Sequence, residues 1–307
     1  MTVTGPLEAE QAGLTDAHNH VWIDPVEGAA PGAPVLNDFA PIAAELGDYR
    51  RAGGGMIVDC QPGGCGRNGL AMRALSISSG VPIVASTGYH LRKWYPNGYW
   101  LFDAPPERAH AYFLEELNIC LRETCQDENP VEAGMIKIAC EAELEACPLG
   151  LMEAAAAAGR QSGAAVQVHT EKGADAERIA RFLLDAGLPS DRLILAHMDK
   201  RPDLALHSSL AQEGILLEYD TFYRPRYNPE AGAWPLIKAM LAAGMEDSLA
   251  LATDMAETQF WRRMGGRPGL EGLLTQIVPR LQRSGATDLA IRKIAGRNIA
   301  HRLERPL

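Results

Sequence analysis

Five short apolar runs, scattered through a chain of 307 residues, each end in side chains able to hold a metal ion. LTDAHNHVWI presents His18 and His20, GMIKIA carries Lys137, AAVQVHT ends on His169, LILAHMD holds His197, and SLALATDM closes on Asp254. Groups so far apart in the chain meet only if the fold delivers many strand ends to one place. A parallel barrel does this, because its strands all run the same way and their C-terminal ends share one face.

The rest of the chain agrees with that demand. Short apolar runs alternate with longer stretches of helical periodicity, the pattern of repeated βα units. Strands are expected at 13–17, 56–59, 81–86, 135–139, 165–168, 193–196, 215–218 and 248–252. Helices are expected at 38–52, 68–79, 106–124, 150–162, 174–186, 204–212, 232–242 and 270–284, with a last one at 287–302. The expected fold is α/β, a (β/α)8 TIM barrel forming one domain over 1–307, with the metal site at the C-terminal ends of the strands. The Gly- and Pro-rich stretch 21–36 and the aromatic HLRKWYPNGYWLFD read as loops over that face. Gly63, Gly64 and Gly66 in QPGGCGRNG lack the Lys-Ser or Lys-Thr ending of a phosphate loop.

Bulk properties narrow the partners. With 29 Lys and Arg against 39 Asp and Glu, the formal charge is -10. Such a chain offers no field for a nucleic-acid backbone, while a local basic pocket for a small anion remains compatible with it. No run of eighteen apolar residues suggests a membrane span, and MTVTGPLEAEQAG has no basic or apolar leader, so the cytoplasm is the expected location. The six cysteines, at 60, 65, 120, 125, 140 and 147, show no CxxC spacing and are expected as thiols in a reducing compartment.

His18 and His20, one residue apart, point to the same side of an extended strand. Neutral imidazoles suit zinc, cobalt, nickel or iron. Asp254 follows the apolar run LALAT and needs a charge partner there, which a metal supplies. Asp16 is expected outside the ligand set, bonding to backbone or to a ligand histidine. Lys137, framed by Met135, Ile136 and Ile138, would be a costly buried charge unless paired or neutralised. Two accounts stay open: an ion pair with Glu141, Glu143 or another barrel acid, or reaction with carbon dioxide to give an anionic bridge. The second supplies the negative charge that four histidines and one aspartate lack for two divalent ions.

Taken in order, DAHNH, AGMIKIA, QVHT, LAHMD and ATDM make the chain resemble the phosphotriesterase family of the amidohydrolase superfamily over essentially its whole length. The resemblance implies two divalent cations, most readily zinc, with manganese, cobalt, nickel or iron as substitutes. It implies that His18, His20 and Asp254 hold the more buried ion, that His169 and His197 hold the more exposed one, and that N6-carboxylated Lys137 bridges both together with a hydroxide. That hydroxide would be the nucleophile, with Lys137 and Asp254 as the catalytic side chains and Asp254 taking its proton.

The substrate must be read from loops. His90, Arg92, Lys93 and Tyr95 follow the third expected strand, Lys200 follows His197, Arg224, Arg226 and Tyr227 follow the seventh strand, and Trp261 lies in the last loop. Cationic forks and phenols beside a metal centre suit a hydroxylated anionic substrate. HMDKRPD and RPRY also resemble the HMDRNPD and RxKY patterns of the family's sugar-lactonase branch, including the phosphorylated furanose lactonases. Lys-Arg stands for Arg-Asn and Arg226 for lysine, which keeps the charge and alters its reach.

The resemblance therefore implies an enzyme that hydrolyses a small-molecule lactone or ester, a sugar lactone with or without phosphate, as a possible homodimer. Phosphotriester, other phosphoester or cyclic amide hydrolysis by the same centre is the alternative, and a metal-binding barrel without activity a further one. Competing roles exist for several loop residues: ion pairs with Glu230 and surface acids for Arg224 and Arg226, and packing for Trp261 and Tyr89. Cys60 is a candidate for the pocket lining, Arg262 and Arg263 for an anion contact, and Asn298 and His301 for support of the last helix.

Overall fold

The apolar runs form parallel strands in a computed structural model that describes residues 1–305. They are β1 (Leu14–Asn19), β2 (Gly54–Asp59), β3 (Ile83–Val84), β4 (Ser86–Gly88), β5 (Met135–Ala139), β6 (Val166–His169), β7 (Leu193–Ala196), β8 (Leu216–Tyr219) and β9 (Leu249–Leu251). Each pairs in parallel with the next, except that β3 and β4 are halves of one expected strand interrupted at Ala85. Between the first and last strands the ring is joined by single bonds rather than a ladder. Asp254 N donates to His18 O at 2.9 Å, and Thr253 N donates to Asp16 Oδ1 at 3.0 Å. The architecture is thus the α/β barrel expected, drawn from a three-stranded and a six-stranded set.

Helices α1 (Phe39–Arg51), α2 (Gly69–Ser79), α3 (Pro106–Asn118), α4 (Leu149–Ser162), α5 (Ala176–Asp185), α6 (Leu204–Gln212) and α7 (Ala233–Ala242) return the chain between strands. After β9 the chain carries α8 (Val278–Arg283), α9 (Asp288–Arg292) and α10 (Asn298–Leu303). The expected last helix, 287–302, breaks at Ala295 and Gly296. A side chain on Gly296 would lie 2.2 Å from Gly13 O, so only glycine lets this segment pass under β1. Asn298 then ties the segment to β9, its amide donating to Leu249 O at 2.8 Å and to Glu246 O at 2.7 Å. His301 instead meets Glu304 near the surface. Among the described residues, no helix is long and apolar enough to cross a membrane.

One expected helix is shorter than its periodicity suggests. Residues 106–124 read as continuous, yet α3 stops at Asn118 and Cys120 is disulfide-bonded to Cys125. Five residues of helix rise about 7.5 Å along the axis, whereas these Cα atoms are 5.3 Å apart, so the chain must turn. The expectation of six thiols is corrected accordingly. Cys60, Cys65, Cys140 and Cys147 remain free and buried.

Inward positions recur every second residue and stack in layers. Met135, Ala165, Ile194, Leu216 and Ala250 belong to one apolar cluster with Met56 and Val58. Two residues further along, Lys137, Gln167 and Glu218 make a polar layer, each with no exposed surface. Beyond that layer the ligand candidates open to the mouth. Gly88 sits where β4 meets this middle layer, with φ +112 and a hypothetical Cβ 1.9 Å from Lys137 O. Glycine there lets β4 approach β5 and sets the height of Lys137.

Candidate metal centre

The paired histidines come from the end of an irregular strand. The β1 pairing with β2 slips on both sides of Asp16, while Asp16 itself accepts hydrogen bonds from Thr253, from Asn19 Nδ2 at 2.8 Å and from His18 N at 3.4 Å. It supports the strand exit from behind. His18 and His20 both turn toward Asp254 Oδ1, with Nε2 atoms at 3.8 and 3.6 Å. These three groups can reach one ion.

His169 ends β6, and His197 follows β7 in the left-handed region at φ 66. His169 Nδ1 and His197 Nε2 face one another at 2.8 Å. Asp254 is also left-handed, φ 49, so its backbone bonds back to His18 while its carboxylate turns inward. Lys137 Nζ lies 3.4 Å from His18 Nε2 and 2.9 Å from Gln167 Oε1. Neither Glu141 nor Glu143 pairs with it; among the described residues its hydrogen-bond partners are His18 and Gln167, and the nearest acid of its layer, Glu218, bonds to Gln167 and His18.

These donors fit divalent cations chemically. A ligating imidazole ordinarily gives its second nitrogen to a carboxylate or carbonyl. His18 Nδ1 lies 3.3 Å from Glu218 Oε2, and His197 Nδ1 lies 2.6 Å from Asp220 Oδ2. Burial holds His18 and His197 well below the usual histidine range, and burial followed by the neighbouring His197 pushes His169 down to about 3. Neutral imidazole is the form that binds metal. Burial would raise the Asp254 carboxyl, but His20, His197, His18 and Arg224 hold it well below the carboxylate range. His20 Nδ1, His169 Nε2 and Asp220 Oδ1 are buried without a hydrogen-bond partner.

A cavity of about 490 Å³ opens over these groups. It is lined by His18, His20, His169, His197 and Asp254, and also by His90, Lys93, Lys200, Arg224, Arg226 and Tyr227 from the loops. Lys200 Nζ and the Arg226 guanidinium both lie against the Tyr227 ring, 5.1 and 4.8 Å from its centroid. Arg224 is buried beside the ligand candidates, its Nη2 3.3 Å from Asp254 Oδ2 and 3.2 Å from Glu257 Oε2. Glu230 pairs with Arg280 instead.

Three loop candidates lie elsewhere. Arg92 is exposed and pairs with Asp103 at 3.2 Å. Tyr95 is buried, and its hydroxyl accepts from His90 N at 2.9 Å, so it shapes the loop from behind. Trp261 is fully buried, donating from Nε1 to Met255 O at 2.8 Å, which makes it an anchor of the last loop. Arg262 and Arg263 clamp that loop to Asp48 on α1. Tyr89 packs in the core against Phe102, and Cys60 lies below the pocket, its thiol 2.8 Å from Gln167 Oε1.

Several residues of the site escaped sequence reading. Glu171 and Lys172, directly after QVHT, line the cavity, as do Gln61 and Glu257. Gln167 and Glu218 lie beneath it, and Asp220 behind His197. The available signal was position: Gln167 is two residues before His169 on one strand face.

A parallel barrel with imidazoles and a carboxylate at its strand ends, under a cavity rimmed by basic loops, is the build of a metal-dependent hydrolase. The comparisons agree. The chain belongs to the Phosphotriesterase family, whose profile matches residues 1–301. A phospho-furanose lactonase of Mycoplasmopsis synoviae is 26% identical over 313 residues, 94% of this chain and 87% of the relative. An N-acetyltaurine hydrolase of Salmo salar is also 26% identical, over 95% of this chain and 94% of its own. A lactonase structure from Listeria monocytogenes superposes with a TM-score of 0.89 at 22% identity, covering 100% of this chain and 99% of its own.

Proposed function

We propose that the chain hydrolyses a lactone, specifically a sugar lactone carrying an anionic group such as phosphate. The observation that carries this reading is the single cavity that joins the ligand candidates to Lys93, Lys200, Arg226 and Tyr227. His18, His20 and Asp254 would hold one divalent ion, His169 and His197 a second, and Lys137, carboxylated on Nζ, would link them. When bound, the two ions supply an activated water and polarise the carbonyl it attacks.

The remaining work falls to protein groups. Asp254 faces the ligand histidines and is low in pKa, so it is ionised and ready to take a proton from the attacking water and pass it to the leaving alkoxide. Arg224 holds Oδ2 of that carboxylate and fixes its orientation. Lys200 and Arg226, both against Tyr227, would offer charge-assisted bonds to the substrate's anionic end. Position is the main contribution of these loops.

A matched panel tests the assignment: phosphorylated and unphosphorylated furanose lactones, an aryl phosphotriester and N-acetyltaurine. The expected order puts the phosphorylated lactone first, with kcat/KM at least about a hundredfold above the triester, a margin typical of sites that pair a substrate's polar groups. Preference for the triester or the amide overturns the substrate assignment. The relative named for an amide substrate makes that arm a necessary one.

A further inference from the structure

Gln167 has no exposed surface and sits one strand away from Lys137, the two being register partners on β6 and β5. Its amide orientation is fixed by its neighbours. Nε2 lies 3.1 Å from Ala17 O and 2.6 Å from Glu218 Oε1. A backbone carbonyl only accepts, so the NH2 group must face Ala17 and the carbonyl oxygen must face the other way. There it meets Lys137 Nζ at 2.9 Å and the Cys60 thiol at 2.8 Å. The amide is held at both ends, with all its polar capacity directed.

Carboxylation begins from the Lys137 amine once its ammonium has given up one proton to water; Nζ bonds to the carbon of carbon dioxide, one C=O electron pair moves onto oxygen, and a second proton leaves nitrogen for water. One N–H remains on a planar nitrogen. Gln167 Oε1 is an acceptor already at hydrogen-bond distance from that nitrogen. A single N–H anchored on Gln167 fixes rotation about the Cε–Nζ bond and sends both carboxylate oxygens to the far side, toward the ligand histidines. His18 lies on that path, its ring nitrogens 3.4 and 3.5 Å from Nζ. Among the described residues Gln167 Oε1 is the shortest hydrogen-bond contact of Nζ, the His18 nitrogens lying further off.

We propose that Gln167, braced by Ala17 O and Glu218, is the positioning residue that orients the carboxylated Lys137 between the two metal sites. The proposal rests on the carboxylated-lysine reading given above and adds the residue that aims the group. Cys60 fills the second lone pair of Gln167 Oε1 and steadies it from the opposite side.

The test uses the full chain, stripped of metal and reloaded with zinc at graded concentrations of 13C-bicarbonate. Two readouts are followed: the carbamate carbon resonance and the bicarbonate concentration needed for half-maximal uptake of the second zinc ion. Gln167→Met keeps the shape and removes the acceptor; Gln167→Asn keeps an amide and withdraws it by one methylene. Both are expected to raise the half-maximal bicarbonate concentration at least about tenfold, the scale of one buried hydrogen bond, with the resonance recovering at saturating bicarbonate. A packing role alone would lower thermal stability without moving the bicarbonate requirement. Should either folded variant match the wild type in both readouts, Gln167 has no part in aiming the lysine. Should the wild type itself show no carbamate resonance at any concentration, the carboxylated-lysine reading fails first and this inference with it.

Discussion

Replacing Asp254 with asparagine is expected to lower kcat by about 10² to 10⁴, the range for loss of a positioned proton acceptor. Asparagine tolerates the left-handed backbone that Asp254 adopts, and the bond from its N–H to His18 O is unaffected. Arg224 keeps Glu257 as a partner at 3.2 Å. The substitution therefore removes charge and basicity while leaving the local fold, and the midpoint of thermal unfolding should move little. Steady-state rates on the best lactone of the panel, at matched zinc content, give the measurement. A loss below about tenfold would mean that another group takes the proton.

Lys137→Met is expected to abolish turnover, by on the order of 10³-fold or more, the scale for deleting a preorganised electrostatic partner. It should also reduce bound zinc from about two ions per chain, the two-metal arrangement, to one or none. The chain itself should survive. Lys137 is fully buried and, among the described residues, in no salt bridge, so a methionine of similar length fills its space without leaving a carboxylate unpaired. Elemental analysis beside a thermal melt separates the outcomes. Unchanged zinc content in a folded Lys137→Met protein would show that the lysine does not bridge the ions.

The strands, and the gathering of the ligand candidates at their ends, were legible because they rest on local chemistry. Short, near-continuous apolar runs define β5 and β7 at the expected bounds, Met135–Ala139 and Leu193–Ala196. A polar group at the exit of such a run has few places to go except the barrel mouth. The loops were only half legible. Lys93 faces the cavity while its neighbour Arg92 pairs with Asp103 on the surface, and nothing in HLRKW separates them, since a helical turn decides which side chain faces inward. Trp261 and Tyr95 have the composition of substrate platforms, yet their polar atoms bond to backbone and their rings are buried.

The middle layer was hidden for a different reason. Gln167 and Glu218 are polar residues inside apolar strands, which ordinarily reads as a weak strand pattern. Inside a barrel they are the partners of Lys137 and His18; the spacing of Gln167 from His169 puts it on the inward face, and the register with Lys137 shows what it meets there. The Cys120–Cys125 pair was likewise obscured by an uninterrupted helical pattern on either side.

Anomalous diffraction at the zinc edge, from crystals of the full chain reloaded with zinc and bicarbonate, tests the central claim most directly. The expected map has two peaks, one among His18, His20 and Asp254 and one between His169 and His197, with density extending from Lys137 Nζ to both. A single peak or none, with Lys137 ending at its amine and His169 still facing His197 across 2.8 Å, would contradict it.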